Sequence, residues 1–195
     1  MCNWTADWNS LIAAIIGGLI GGGFAIWAGI LAGNQTHKNN LKLDEFQKRK
    51  KIDGILQAIR YELEILGQIY KQEAGGHLES IKDGQTFDVY FSLKQQYFIV
   101  YPNNTDVVGQ IEDSDLVKAV VVTYNTANFL IESYLINNWY LDRQKESQGM
   151  LAQGILMANR IQQAAILKTV HAKLISETDN LLAKIDDYRQ RHPIK

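Results

Sequence analysis

LIAAIIGGLIGGGFAIWAGILAG, residues 11–33, is the stretch on which the fold of this chain turns. It is 23 residues long and carries no ionisable group, and no Asp, Glu, Lys or Arg occurs from Trp8 to His37. At about 1.5 Å per residue, a helix of this length covers a bilayer core of about 30 Å. The stretch therefore predicts one N-terminal transmembrane helix. A cleaved signal peptide would open on basic residues and carry a shorter apolar run. Here the opening holds Asp7 and no Lys or Arg, while Lys38, Lys42, Lys48, Arg49, Lys50 and Lys51 follow the run. The positive-inside rule then places the N-terminus outside and the rest in the cytoplasm, as a single-pass protein.

Small residues within the stretch are in register. Ala13, Gly17, Gly21, Ala25, Gly29 and Gly33 recur at every fourth position, with Ala14, Gly18 and Gly22 as an adjacent row. Such a face lets helix backbones approach closely in lipid. It predicts the bilayer and further copies of the chain as partners. Residues 1–37 thus read as the anchor with its short external tail and residues 38–51 as a basic linker. Lys48, Arg49, Lys50 and Lys51 would sit at the membrane surface. Residues 52–195 read as a cytosolic helical domain for sensing or interaction.

That domain begins with a heptad seam, Ile52, Leu56, Ile59, Leu63, Leu66 and Tyr70, which predicts a core helix ended by Gly75-Gly76. An aromatic stretch from Phe87 to Tyr101 reads as a helix through about Tyr97, then an extended piece ended by Pro102. Pro102-Asn103-Asn104 signals a turn, and residues 103–111 a polar loop. Asp113 or Ser114 caps the next helix, which buries Leu116, Val120, Tyr124 and Tyr134 and is interrupted by Asn125, Asn128, Asn137 and Asn138. A last helix runs from about Lys145 to Tyr188, about 60 Å if continuous. The fold class is mainly α: a single transmembrane helix followed by an antiparallel helical bundle, without βαβ alternation.

Chemistry-bearing patterns are few. The one cysteine, Cys2, permits no intrachain disulfide, and His37, His77, His171 and His192 have no metal-ligand spacing. No nucleotide-binding or nucleophile-elbow motif is found, so neither an enzyme nor a cofactor is expected. With 20 Lys and Arg against 21 Asp and Glu, no field attracts duplex nucleic acid. One polar strip does suggest a ligand. Arg160, Lys168 and His171 fall close to one helix face, with Arg143 and Asn159 nearby, and Asn125 and Asn128 add a polar face on the preceding helix. These seven residues are the candidate contacts for an anionic ligand.

The layout resembles small membrane effectors of prokaryotic antiviral defence, the CRISPR-associated type III effectors that respond to cyclic oligoadenylate. The residues that carry it are Leu11–Gly33, the basic Lys48–Lys51 and the helical domain after them. The segment Tyr101–Ile111 is also similar to a turn in many bacterial single-span proteins. Many such sensors use an α/β nucleotide-binding fold, from which this chain departs. The resemblance implies a homo-oligomeric effector of the bacterial inner membrane, a tetramer favoured, that binds a cyclic oligonucleotide, such as cyclic tetra-adenylate, and perturbs or permeabilises that membrane. The alternative is an anchored scaffold that recruits a protein partner through its helices.

Overall fold

The computed structural model describes residues 8–92, 97–146 and 150–194, with side chains described at residue 35 and from residue 37 onward outside those gaps. The chain divides into two compact units, Met1–Lys48 and Arg49–Lys195. Helix α1 runs Trp8–Tyr70, a π-helical turn follows at Lys71–Gly75, and α2 is Gly76–Ser80. Further on are α3, Thr105–Val108, then α4, Ser114–Glu146, and α5, Met150–Arg191. The described residues are mainly helical and include no strand.

Among the described residues, no helix is long and apolar enough to cross a membrane. This corrects the single N-terminal transmembrane helix, and with it the inner-membrane location with the N-terminus outside. The apolar stretch is not a helix with ends of its own. It opens α1, which is 63 residues long and continues through His37–Lys51, mostly polar and exposed. The side chains of Ala13, Gly17, Gly21, Ala25, Gly29 and Gly33 lie outside the described residues.

In the second unit the heptad seam does what its spacing demands. Ile52, Leu56, Ile59 and Leu63 are buried against Leu116, Val120 and Tyr124 of α4 and Leu181 and Ile185 of α5. Asp113 caps α4, its Oδ1 accepting the Leu116 amide at 3.0 Å. Helix α5 is continuous over 42 residues. It runs antiparallel to α4, with Gln163 Nε2 donating to the Ser133 carbonyl at 2.8 Å and Thr123 Oγ1 to that of Glu177 at 3.3 Å. Ion pairs close the base of the bundle: Arg189 to Asp53 at 2.6 Å, Arg191 to Asp113 at 2.7 Å, and Arg60 to Asp186.

Along α1 the neighbours climb from Leu116 to Tyr134 on α4 and descend from Ile185 to His171 on α5. The second unit's part of α1 is therefore parallel to α4. The chain between them must travel back along the bundle, and residues 81–113 do so. Three sequence expectations change as a result. Gly75 and Gly76 do not end the helix: both are right-handed helical, and the path turns extended only at Ile81. The helix expected through Tyr97 is replaced over residues 87–92 by an irregular strap. The polar loop contains α3, with Val107 and Val108 buried.

The strap is held by amides that look misplaced in a helical sequence. Asn138 donates through Nδ2 to the Phe91 carbonyl at 2.7 Å and accepts the Phe91 amide at 3.1 Å. Asn137 donates to the Val89 carbonyl at 3.2 Å. Further along, Glu62 Oε1 accepts the amides of Ile99 and Val100 at 2.6 and 2.9 Å, and its Oε2 accepts the Tyr124 hydroxyl at 2.5 Å. A crossover without regular structure must still satisfy its backbone groups, and these side chains do it.

Candidate ligand groove

Beyond Leu63 the seam of α1 comes partly out of the core. Leu66 and Tyr70 are half-buried and Ile69 is exposed. Together with Leu130 and Ile131 of α4, Leu174 and Ile175 of α5, and Phe91 of the strap, they wall a groove of about 310 Å³. Ring packing shapes one side: Phe91 lies 4.7 Å from Tyr134 and 6.2 Å from Tyr97 between centroids. Gly67 lines the groove as well, and a Cβ there would meet nothing within 4 Å. Packing thus does not demand glycine at this position. A side chain would instead narrow the groove.

Below the apolar walls lies a polar chain. Tyr70 Oη is 3.1 Å from Tyr134 Oη and 2.8 Å from His171 Nδ1, and His171 Nε2 is 3.4 Å from Glu79 Oε1. Tyr70 has one hydroxyl hydrogen for two neighbours. The direction of these bonds follows the imidazole tautomer: where Nδ1 of His171 carries no hydrogen, Tyr70 donates to it and accepts from Tyr134. Burial pushes the Tyr70 phenol well up, with Tyr134 adding to the effect, and burial pushes Tyr134 up to about 12. Both are neutral hydrogen-bonding groups at pH 7, not phenolates. The π-helical turn follows Tyr70 directly, and it brings Gly75 so close that a Cβ would lie 3.1 Å from Tyr70 Cε1 and 3.4 Å from His171 Cε1.

The predicted anion strip is dispersed by this packing. His171 alone joins the groove's polar chain. Arg160 is 3% exposed and hydrogen-bonds Asp88 and Gln144, leaving its Nε without a partner. Lys168 donates to the Ile81 carbonyl at 3.0 Å and to Asp83 at 2.9 Å, tying down the segment that leads into the strap. Asn159 is half-buried, and Asn125 and Asn128 are exposed on the outer face of α4. Arg143 is exposed, stacks over Trp139 at 5.3 Å and lies 3.6 Å from Glu146. Lys48, Arg49, Lys50 and Lys51 are exposed, and Lys51 approaches Asp106 at 3.8 Å. Among the described residues there is no group of three His, Cys, Asp or Glu side chains placed to hold a metal.

Sequence reading passed over the groove because its residues carry the same signal as the core. Tyr70 ends the heptad seam and Tyr134 belongs to the apolar set of α4. Periodicity does not distinguish a position that meets another helix from one that meets open space. Gly67, a glycine within a strong helical period and with no turn to make, was the available clue. Comparison of the chain with known protein families, curated proteins and solved structures found no match.

Proposed function

We propose that residues 49–195 form a ligand-binding module that takes a compact, largely apolar molecule in the groove over Tyr70. The observation that carries this reading is the combination of apolar walls, open space above Gly67 and a hydrogen-bonded phenol pair beneath. Small-molecule sites commonly combine apolar lining with a few placed polar groups, at volumes of roughly 300–1,000 Å³. The groove, at about 310 Å³, falls at the small end. A cyclic tetranucleotide is the weaker fit. It is far larger than the groove, and its phosphates require unengaged cations. Arg160, Lys168 and His171 each face an acidic partner already.

Titration of the full chain with the neutral fluorophore N-phenyl-1-naphthylamine tests this reading. Saturable binding should be lost in Gly67→Trp, whose side chain fills the groove, and be retained in Gly67→Ala. Binding that is equal in wild type and Gly67→Trp would place the probe elsewhere and refute the reading.

A second reading, a module that recruits a protein partner, has its own support. Met150 and Leu151 at the start of α5 are 92% and 82% exposed, and Ile155, Leu135, Ile136 and Trp139 are also exposed. An apolar helix end uncovered on this scale is characteristic of interaction surfaces. Leu151→Glu with Ile155→Glu should abolish recovery of a partner in pull-down and leave fluorophore binding unchanged. Partner recovery unaffected by the double change would dismiss this surface.

A further inference from the structure

Helix α5 changes character along its length. From Met150 to Ala172 its exposed side chains include no charged group: Arg160 and His171 are buried, and Lys168 is half-buried and held by the Ile81 carbonyl and Asp83. From Lys173 onward the exposed side of the same helix carries Lys173, Asp179, Asp187 and Arg191. A solvated helix face ordinarily carries charged and polar side chains. The uncharged half is also periodic. Leu151, Ile155, Ala158, Gln162, Ala165 and Thr169 are all exposed and follow steps of 4, 3, 4, 3 and 4. This is a second heptad seam, on the side of α5 opposite the buried Ala164, Leu167 and His171. A seam of this spacing is completed by another helix.

We infer that the helix on this seam is α5 of a second copy of the chain, run antiparallel about a two-fold axis at the level of Arg160. The inference is independent of the groove; it rests on the second reading, that this surface binds protein, and names the occupant. The seam tapers from Leu151 and Ile155 at one end to Ala165 and Thr169 at the other. In antiparallel pairing Leu151 faces Thr169, Ile155 faces Ala165 and Ala158 faces Gln162, so every pair sets a larger side chain against a smaller one. A parallel copy would hold the helices apart at the Leu151 end and leave the Ala165 end underpacked. A two-fold interface uses the same patch on both copies, so charge on the face would oppose its own sign. This half of α5 meets that condition, and the charged half does not. The area fits as well. Phe129 and Ile136 of α4 lie one turn either side of Ser133, which meets Gln163, and extend the exposed face. Each partner in an interface of standard size gives about 800 Å², and these exposed side chains offer an area of that order. A lipid surface would call for a basic rim, whereas the charges near the tip are paired, Arg143 with Glu146 and Lys145 with Asp142.

Paired cysteines in the full chain test the arrangement, with Cys2→Ser removing the native thiol. Positions 155 and 165 are about 15 Å apart along one helix, whereas a disulfide joins Cα atoms about 5.5–6 Å apart. Ile155→Cys with Ala165→Cys therefore cannot close within one copy. Mild oxidation of this variant should give a covalent dimer, and either change alone should give none. Adding Gln162→Lys puts two like charges beside the axis and should abolish the cross-link. Gln162 is exposed, so helical content and thermal stability should persist in that variant. Cross-linking by a variant with one cysteine, or none by the pair although both thiols react with a maleimide, overturns the antiparallel copy. If the pair fails while pull-down of another protein still depends on Leu151 and Ile155, the occupant is wrong and the surface stands. If the pull-down is insensitive to them as well, both readings fall.

Discussion

Two glycines of the second unit do opposite work, and each yields a prediction. At Gly67 nothing lies within 4 Å of the place a Cβ would take, so the fold gains nothing from the missing side chain. Glycine inside a helix costs about 0.5–1 kcal/mol relative to alanine. Gly67→Ala should therefore raise stability by about that amount in chemical denaturation. A loss of stability would mean that the backbone there needs glycine after all. At Gly75 the corresponding position is 3.1 Å from the Tyr70 ring and 3.4 Å from that of His171. Gly75→Val should cost about 1–3 kcal/mol, as overpacking does, and should disturb the Tyr70–His171 hydrogen bond. The signature is a change in the His171 ring signals in NMR, which a neutral substitution would leave in place.

At the scale of elements, the strap shows what periodicity conveys and what it omits. The apolar spacing of α4 and α5 made both helices legible, as did the seam Ile52–Leu63 and the cap at Asp113. Those features are local, and each residue's role follows from its neighbours in sequence. The strap is not local. Whether residues 87–92 are helical depends on Asn137 and Asn138, nearly fifty positions later, which offer Val89 and Phe91 the backbone partners that a helix would otherwise supply. Still larger distances in sequence hid the fate of the basic strip: Asp88 and Asp83 are what Arg160 and Lys168 meet. Asn138→Leu leaves the amide and carbonyl of Phe91 buried without partners, which should cost about 2–4 kcal/mol. Amide exchange at Phe91 should accelerate far more than exchange in the base of α4. Uniform acceleration across α4 would show that the strap is not a separately held element.

For the molecule as a whole, three buried or half-buried phenols set a limit at alkaline pH. Burial raises Tyr70, Tyr124 and Tyr134, the last to about 12, and the Glu62 carboxylate adds to the rise at Tyr124. A group whose folded value is raised holds its proton longer in the folded chain than in the unfolded one. Stability is then unaffected by these groups below about pH 10, the unfolded value, and falls as pH climbs toward the folded values. Each phenol contributes a slope of up to about 1.4 kcal/mol per pH unit in that window. Tyr134→Phe should flatten the decline measured between pH 10 and 12, and an unchanged slope would contradict the burial of its hydroxyl. The mainly helical class of the molecule follows from its sequence, whereas the membrane span expected from an apolar run does not survive among the described residues. The groove is the space three helices leave between them, which periodicity does not describe, and Gly67 was its one trace in the sequence. Its occupancy is the central claim, and stability in the presence of a saturating neutral ligand tests it most directly. At a hundredfold excess of N-phenyl-1-naphthylamine over its dissociation constant, the wild-type chain should gain about 2.7 kcal/mol and Gly67→Trp should gain none. An equal gain in both, or no gain in the wild type, would contradict the account.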